Sequence, residues 1–218
     1  MRARLPDPPL LLITDRRQAR HPLPEIVVAA LDAGCRWVSV REKDLPDDEQ
    51  VLLARSLLPL AHAHGARLTL HGEAGLAKLA EADGVHLSAG ADAAFARAAI
   101  GGEKLLGASI HSVTEAASID PALVDYALAG PAFETPSKPG YGPEIGRKGL
   151  GEIAHVARVP VLAVGGVNAA RVGELIAAGA VGVAVMGGVM RAADPAQEMR
   201  ALIAAVTGSL AIRARDRC

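Results

Sequence analysis

Two glycine pairs carry the clearest chemical signal in the chain: Gly165-Gly166 follows the apolar run 160–164, and Gly187-Gly188 follows the run 182–186. Glycine reaches positive φ and lets a ligand approach the backbone amides with no Cβ in the way, and a helix starting just beyond adds partial positive charge. Each pair could also be an ordinary tight turn from strand to helix. Two in succession point to a cradle for an oxyanion such as phosphate.

A second group lies at Arg41-Glu42-Lys43, after the apolar run 37–40. Alternate residues of an extended chain point to opposite sides, so the two cations share one side and the acid takes the other. Such a pair suits a ligand with several negative charges; the plainer alternative is a pair of ion pairs with nearby carboxylates. The stretch 132–146, AFETPSKPGYGPEIG, is too rich in Pro and Gly for a helix or strand. Loops of that length in a compact domain are usually functional or disordered. Within it Thr135, Ser137 and Lys138 offer two hydroxyls and an ammonium to an anion, although the same composition suits a solvated loop. His71 and His111 each end an apolar run, and Glu134 lies near Thr135. Either histidine could move a proton, since imidazole titrates near neutral pH. A histidine at a strand end is more often a hydrogen-bonded structural group, and the residues alone leave this open. No grouping of His, Cys, Asp and Glu has zinc spacing.

These residues need a scaffold that brings distant segments together. Apolar runs at 10–14, 37–40, 67–70, 84–87, 105–109, 124–128, 160–164 and 182–186 alternate with segments of helical period at 23–33, 46–64, 74–81, 92–99, 114–119, 148–157, 169–178 and 195–206. Strands alternating with helices predict a parallel sheet with crossover helices. Closure of so many parallel strands removes exposed edges, so the expected fold is α/β, a single-domain (βα)8 TIM barrel. Its phosphate site should follow the last two strands, where both glycine pairs stand. A doubly wound open sheet is the alternative, but no Gly-x-Gly-x-x-Gly follows a strand.

Composition agrees. Half of the 218 residues are hydrophobic and only 2% aromatic, so Ala, Val, Leu and Ile must build the core. Lys plus Arg number 23 against 24 Asp plus Glu, a balance that speaks against nucleic acid. Cys35 and Cys218 have no disulfide-framework or metal spacing, which suggests a cytoplasmic protein. The apolar run after MRARLPDPP is too short for a signal peptide or a membrane span. Residues 1–210 should form the barrel and residues 211–218 a basic, disordered C-terminal tail. Self-association into a homo-oligomer is left open.

The ordered set LLLITD, VSVREKD, GVHL, GASIHS, GPAFETPSK, PVLAVGGVN and GVAVMGGV resembles the thiamine phosphate synthase and thiazole tautomerase (TenI-like) family over nearly the whole chain. The resemblance implies a barrel in thiamine biosynthesis that binds a small phosphorylated heterocycle, a thiazole phosphate, near Gly165, Gly166, Gly187 and Gly188. It also implies ligand contacts from Arg41, Lys43, Thr135, Ser137 and Lys138. The synthase branch, a transferase, joins a hydroxymethylpyrimidine diphosphate to the thiazole phosphate with magnesium on the departing pyrophosphate. Where that branch has an Asn-Asp pair after strand three, an acid after strand four and a glutamine before the arginine, this chain has His71-Gly72, Ala91 and Ser39.

These departures favour the tautomerase branch, an isomerase that aromatises a thiazole carboxylate phosphate by proton transfer with no metal or other cofactor. On that expectation Lys43 holds the carboxylate, the glycine pairs hold the phosphate and His71 moves the proton, with His111 and Glu134 as the other acid–base candidates. The histidine of that branch just after strand six is Pro131 here. The alternatives are the magnesium-dependent synthase and a non-catalytic thiazole phosphate binder that regulates.

Overall fold

Strands buried on both faces must be apolar throughout, and the eight runs meet that demand. In the computed structural model, which describes residues 5–135 and 144–215, they become β1 (Leu10–Ile13), β2 (Trp37–Val40), β3 (Arg67–His71), β4 (Gly84–Leu87), β5 (Leu105–Ile110), β6 (Tyr126–Ala129), β7 (Val161–Val164) and β8 (Gly182–Val185). The strands form a closed barrel in sequence order, every pair parallel, and β8 returns to β1 through Leu10↔Val183 and Leu12↔Val185. The expected (βα)8 TIM barrel is therefore the fold.

The helices are α1 (Leu23–Asp32), α2 (Asp47–Ala63), α3 (Ala74–Leu79), α4 (Ala93–Ile100), α5 (Val113–Ser118), α6 (Gly146–Val156), α7 (Ala169–Ala177), α8 (Gly187–Met190) and α9 (Pro195–Arg215). Short polar side chains start three of them. Asp92 accepts from Phe95 N, Ser112 from Glu115 N and Asn168 from Arg171 N, each filling a donor the first turn leaves open. None of the helices among the described residues is long and apolar enough to cross a membrane.

Most element ends shift by a residue or two from the sequence expectation, and three differences bear on the site or the terminus. β6 begins at Tyr126 rather than at residue 124. α8 was not expected, because its four residues GGVM show no helical period. α9 runs on to Arg215, so residues 211–215 of the supposed tail are helical, and Arg213 is tied by its guanidinium to Ala180 O at 2.7 Å.

Alternation along each strand sorts the core into two. Leu10, Leu12, Val38, Val40, Leu68 and Leu70 pack outward with the helices. Leu11, Trp37, Leu105, Tyr126, Leu162 and Ala184 fill the barrel itself. Trp37 and Tyr126, two of the few aromatic residues, meet edge to face at 4.7 Å and plug the interior. The Tyr126 ring occupies the space over Gly107, where an added Cβ would stand 2.1 Å from its Cζ. Gly107→Ala is expected to cost about 1–3 kcal/mol of stability, the usual penalty for overpacking. The urea midpoint measures it, and an unchanged midpoint would mean that the ring moves aside freely.

Candidate active site

Closure turns all eight C-terminal strand ends to one rim, and a cavity of about 400 Å³ opens there. Its walls hold Arg41, Lys43, His71, His111, Glu134, Thr135 and all four glycines of the two pairs. Ser137 and Lys138 lie outside the described residues.

The alternation at β2 continues past the strand. Arg41 and Lys43 face the cavity, while Glu42 is buried on the other side and accepts the Arg16 N–H at 3.1 and 3.0 Å. Burial raises the Glu42 carboxyl above its ordinary range, against the pull of the Arg16 amide and the Thr14 hydroxyl. Arg41 donates its backbone N–H to Thr14 Oγ1 at 2.9 Å, and its guanidinium Nη1 lies 4.0 Å from Met186 Sδ, so the ends of β2 and β8 touch. Among the described residues neither Arg41 nor Lys43 forms an ion pair, which sets aside the alternative that rim carboxylates neutralise them. Burial lowers the Lys43 ammonium from its ordinary pKa, and the neighbouring Arg41 charge lowers it further.

The two glycine pairs are built differently. Gly165 and Gly166 have φ of 98° and 62°, as expected, and they also make room for the loop after β6. A Cβ on Gly165 would meet Pro131 at 2.8 Å, and one on Gly166 would meet Phe133 Cβ at 2.7 Å. Gly187 and Gly188 do not have positive φ; they are the first turn of α8, whose leading N–H groups lack an intrahelical acceptor. A Cβ on Gly188 would find nothing nearer than 3.9 Å, so that face is open.

The histidines divide. His71 ends β3, largely buried, with its ring 4.7 Å from that of His86. His86 faces into the barrel and bonds through Nε2 to Ser109 Oγ at 2.9 Å. His111 has Nδ1 at 2.5 Å from Gly130 O and its backbone N–H on Glu115 Oε2 at 2.6 Å, so it braces the ends of β5 and β6 while its ring borders the cavity. Glu134 is exposed at the cavity edge, its N–H donated to Glu144 Oε2 at 2.8 Å.

Sequence reasoning missed Ser109, Asn168, Arg171, Met186 and Arg191, all on the cavity wall. Ser109 was discoverable, since it has the same strand parity as His111. Arg171 was not, because a helical arginine reads as a solvated one. Here its Nη1 donates to Gly166 O at 3.0 Å and its guanidinium lies over the Phe133 ring at 4.4 Å.

A magnesium ion, which the resemblance implies for the synthase branch, would need oxygen ligands, carboxylates foremost. Among the described residues no three His, Cys, Asp or Glu side chains are grouped to hold a metal. Magnesium can be held by one or two carboxylates with substrate phosphates, but where the synthase branch has its acids this chain has His71-Gly72 and Ala91. Glu134 at the cavity edge is the one acid on the described wall, so these residues do not fit a protein-held magnesium site.

The chain is similar to known proteins over most of its length. A family profile described as thiamine monophosphate synthase matches residues 10–189. The chain is 42% identical over 208 residues to a thiamine-phosphate synthase of Roseiflexus sp. (strain RS-1), covering 94% of this chain and 87% of that one. It is 40% identical over 195 residues to a thiamine-phosphate synthase of Roseiflexus castenholzii, covering 88% and 85%. The solved thiamine phosphate pyrophosphorylase of Pyrococcus furiosus superposes with a TM-score of 0.82 at 31% identity, over 92% of this chain and 96% of that one. These relatives overturn the expected tautomerase and its isomerase class: at such identity and coverage they bear the synthase name. The expectation failed because it weighed three missing side chains above the retained remainder of the motif set.

Since burial and Arg41 already disfavour the Lys43 charge, Lys43→Met should not lower the unfolding midpoint of the ligand-free protein at pH 7. Between the lowered pKa and the ordinary value of 10.5 the unfolded chain binds more protons, so the parent gains stability with pH and any advantage of the variant shrinks. Thermal melts across that range measure this. A clearly lower midpoint at pH 7 would make the ammonium a structural ion.

Proposed function

We infer that this chain, which belongs to the thiamine monophosphate synthase family, is a transferase that joins a hydroxymethylpyrimidine diphosphate to a thiazole phosphate and releases pyrophosphate. One observation carries the reading beyond the names of the relatives. A single cavity has anion-binding chemistry in two places, the cations after β2 and the bare amides after β7 and β8, with the apolar side chains Ile13, Leu128, Val164 and Ala184 also on its wall. Two anionic heterocycles need that arrangement: a charged subsite for each phosphate group and a nonpolar surface for the rings.

In this reading the Gly165-Gly166 turn and the Gly187-Gly188 helix start hold the thiazole phosphate, with Thr135 contributing from the loop after β6 and Ser137 and Lys138 adding the contacts that the family resemblance implies. Arg41 and Lys43 hold the diphosphate. The bond from the pyrimidine methylene carbon to the diphosphate oxygen breaks as the bond to the thiazole nitrogen forms, and the electron pair leaves with the pyrophosphate. Charge therefore grows on the diphosphate in the transition state. Fixed cations at that place favour the transition state over the bound substrate, which is what accelerates a reaction. His71, His86 and Ser109 line or back the same chamber beneath the rings, as groups that can orient a heterocycle by hydrogen bonds.

The experiment is to supply both substrates and follow pyrophosphate and thiamine phosphate together. Both should appear in equal amounts, and absence of both would remove the assignment. Arg41→Met should lower kcat/KM by about tenfold to a thousandfold, the range for losing one charge-assisted contact to developing charge. An unchanged kcat/KM would take Arg41 out of the site.

A further inference from the structure

Several acids of the rim are engaged by their own loops, and Glu73, exposed just beyond β3, is not on the cavity wall. Asp15 accepts from Arg17 N at 3.2 Å and Gln18 Nε2 at 2.5 Å, and Glu42 accepts the Arg16 amide. Asp92, the acid nearest to the place where the synthase branch has one after strand four, caps α4 by accepting from Phe95 N at 2.9 Å. Glu115 accepts from His111 N. Among the described residues Glu134 is the one acid on the cavity wall, against Arg41, Lys43, Arg171 and Arg191. Residues 136–143, PSKPGYGP, include no carboxylate and one lysine.

A divalent cation entering this cavity would meet like charge on most sides, and a diphosphate would meet opposite charge. Two of the cations stand in forms suited to phosphate. Arg41 comes without a carboxylate partner among the described residues, beside the ammonium of Lys43. Arg171 is held in place by Gly166 O and the Phe133 ring, so little side-chain freedom remains to be lost when an anion arrives. Two unneutralised cations side by side repel each other, and an anion between them relieves that repulsion.

We propose that this cavity binds the diphosphate on Arg41 and Lys43, with Arg171 adding charge from the β7 side, and without a metal ion held by protein carboxylates. This rests on the transferase reading for the identity of the diphosphate, and it departs from what the family resemblance implies about magnesium. A magnesium ion that arrives on the diphosphate belongs to the substrate, and it occupies oxygens that these side chains would otherwise contact.

Calorimetric titration of the full chain with inorganic pyrophosphate tests the proposal, once in EDTA and once with excess magnesium. Binding in EDTA should be as tight as with magnesium, to within threefold, or tighter, and it should weaken as salt is raised. Arg41→Met and Arg171→Met should each weaken it about tenfold, the scale of one charge-assisted contact. Arg171→Lys, which keeps the charge, should lose less than Arg171→Met; equal losses would mean that Arg171 acts only by supporting the Gly166 turn. Binding more than threefold tighter with magnesium, or stoichiometric capture of Mn²⁺ by the ligand-free protein in electron paramagnetic resonance, would overturn the proposal. Metal-free pyrophosphate binding with no product from the two substrates would sink the transferase reading and leave this one standing. Product formation with pyrophosphate binding that requires magnesium would do the reverse.

Discussion

Closure of the sheet by β8 on β1 is the constraint from which the rest follows. Parallel strands joined by outer helices all point the same way, so a closed ring must collect every strand end at one rim. Closure also fixes parity: residues two apart on a strand share the inside or the outside. Arg41 and Lys43 reach the cavity, and Glu42 does not, because Trp37 and Ser39 on the same strand face inward. The charge pattern of the site is thus a consequence of which side of β2 holds the barrel's aromatic plug.

With few aromatic residues, the interior is closed by local fit rather than by bulk. Tyr126 lies over Gly107 and against Trp37, and the plug leaves the rim half of the barrel empty enough to form a cavity. Further out, Gly165 and Gly166 let the loop after β6 come close, with Ala132 N on Val164 O at 2.7 Å and Phe133 N on Gly165 O at 3.2 Å. The same two glycines therefore also seat Phe133, on which Arg171 rests. A side chain added at either would collide with the loop after β6.

Electrostatically the rim is sorted rather than neutral. Glu42, Asp92 and Glu115 satisfy backbone donors in loops and helix starts, and the cations on the described cavity wall outnumber its one acid, Glu134. In bulk solvent such separation is of little consequence; in a recess with a partly apolar wall it sets which charge can enter. On the described cavity wall Glu134 is the one acid against Arg41, Lys43, Arg171 and Arg191.

The fold class, the strand at each motif and the place of both glycine pairs were legible in the sequence, because period and punctuation are local properties. So was the common facing of Arg41 and Lys43, which needs only the alternation of an extended chain. The structure alone decided that Gly187 and Gly188 begin a helix, since four residues are too few to show a helical period. It alone placed Arg171 of α7 on Phe133 of the loop after β6, 38 residues apart in sequence. It also fixed the Asp92 carboxylate on Phe95 N and left Glu134 as the one acid on the described cavity wall, which a count of acids near the motifs does not show. Spacing along a chain determines which side chains can share a face; only the packed barrel determines which of them remain available to a ligand.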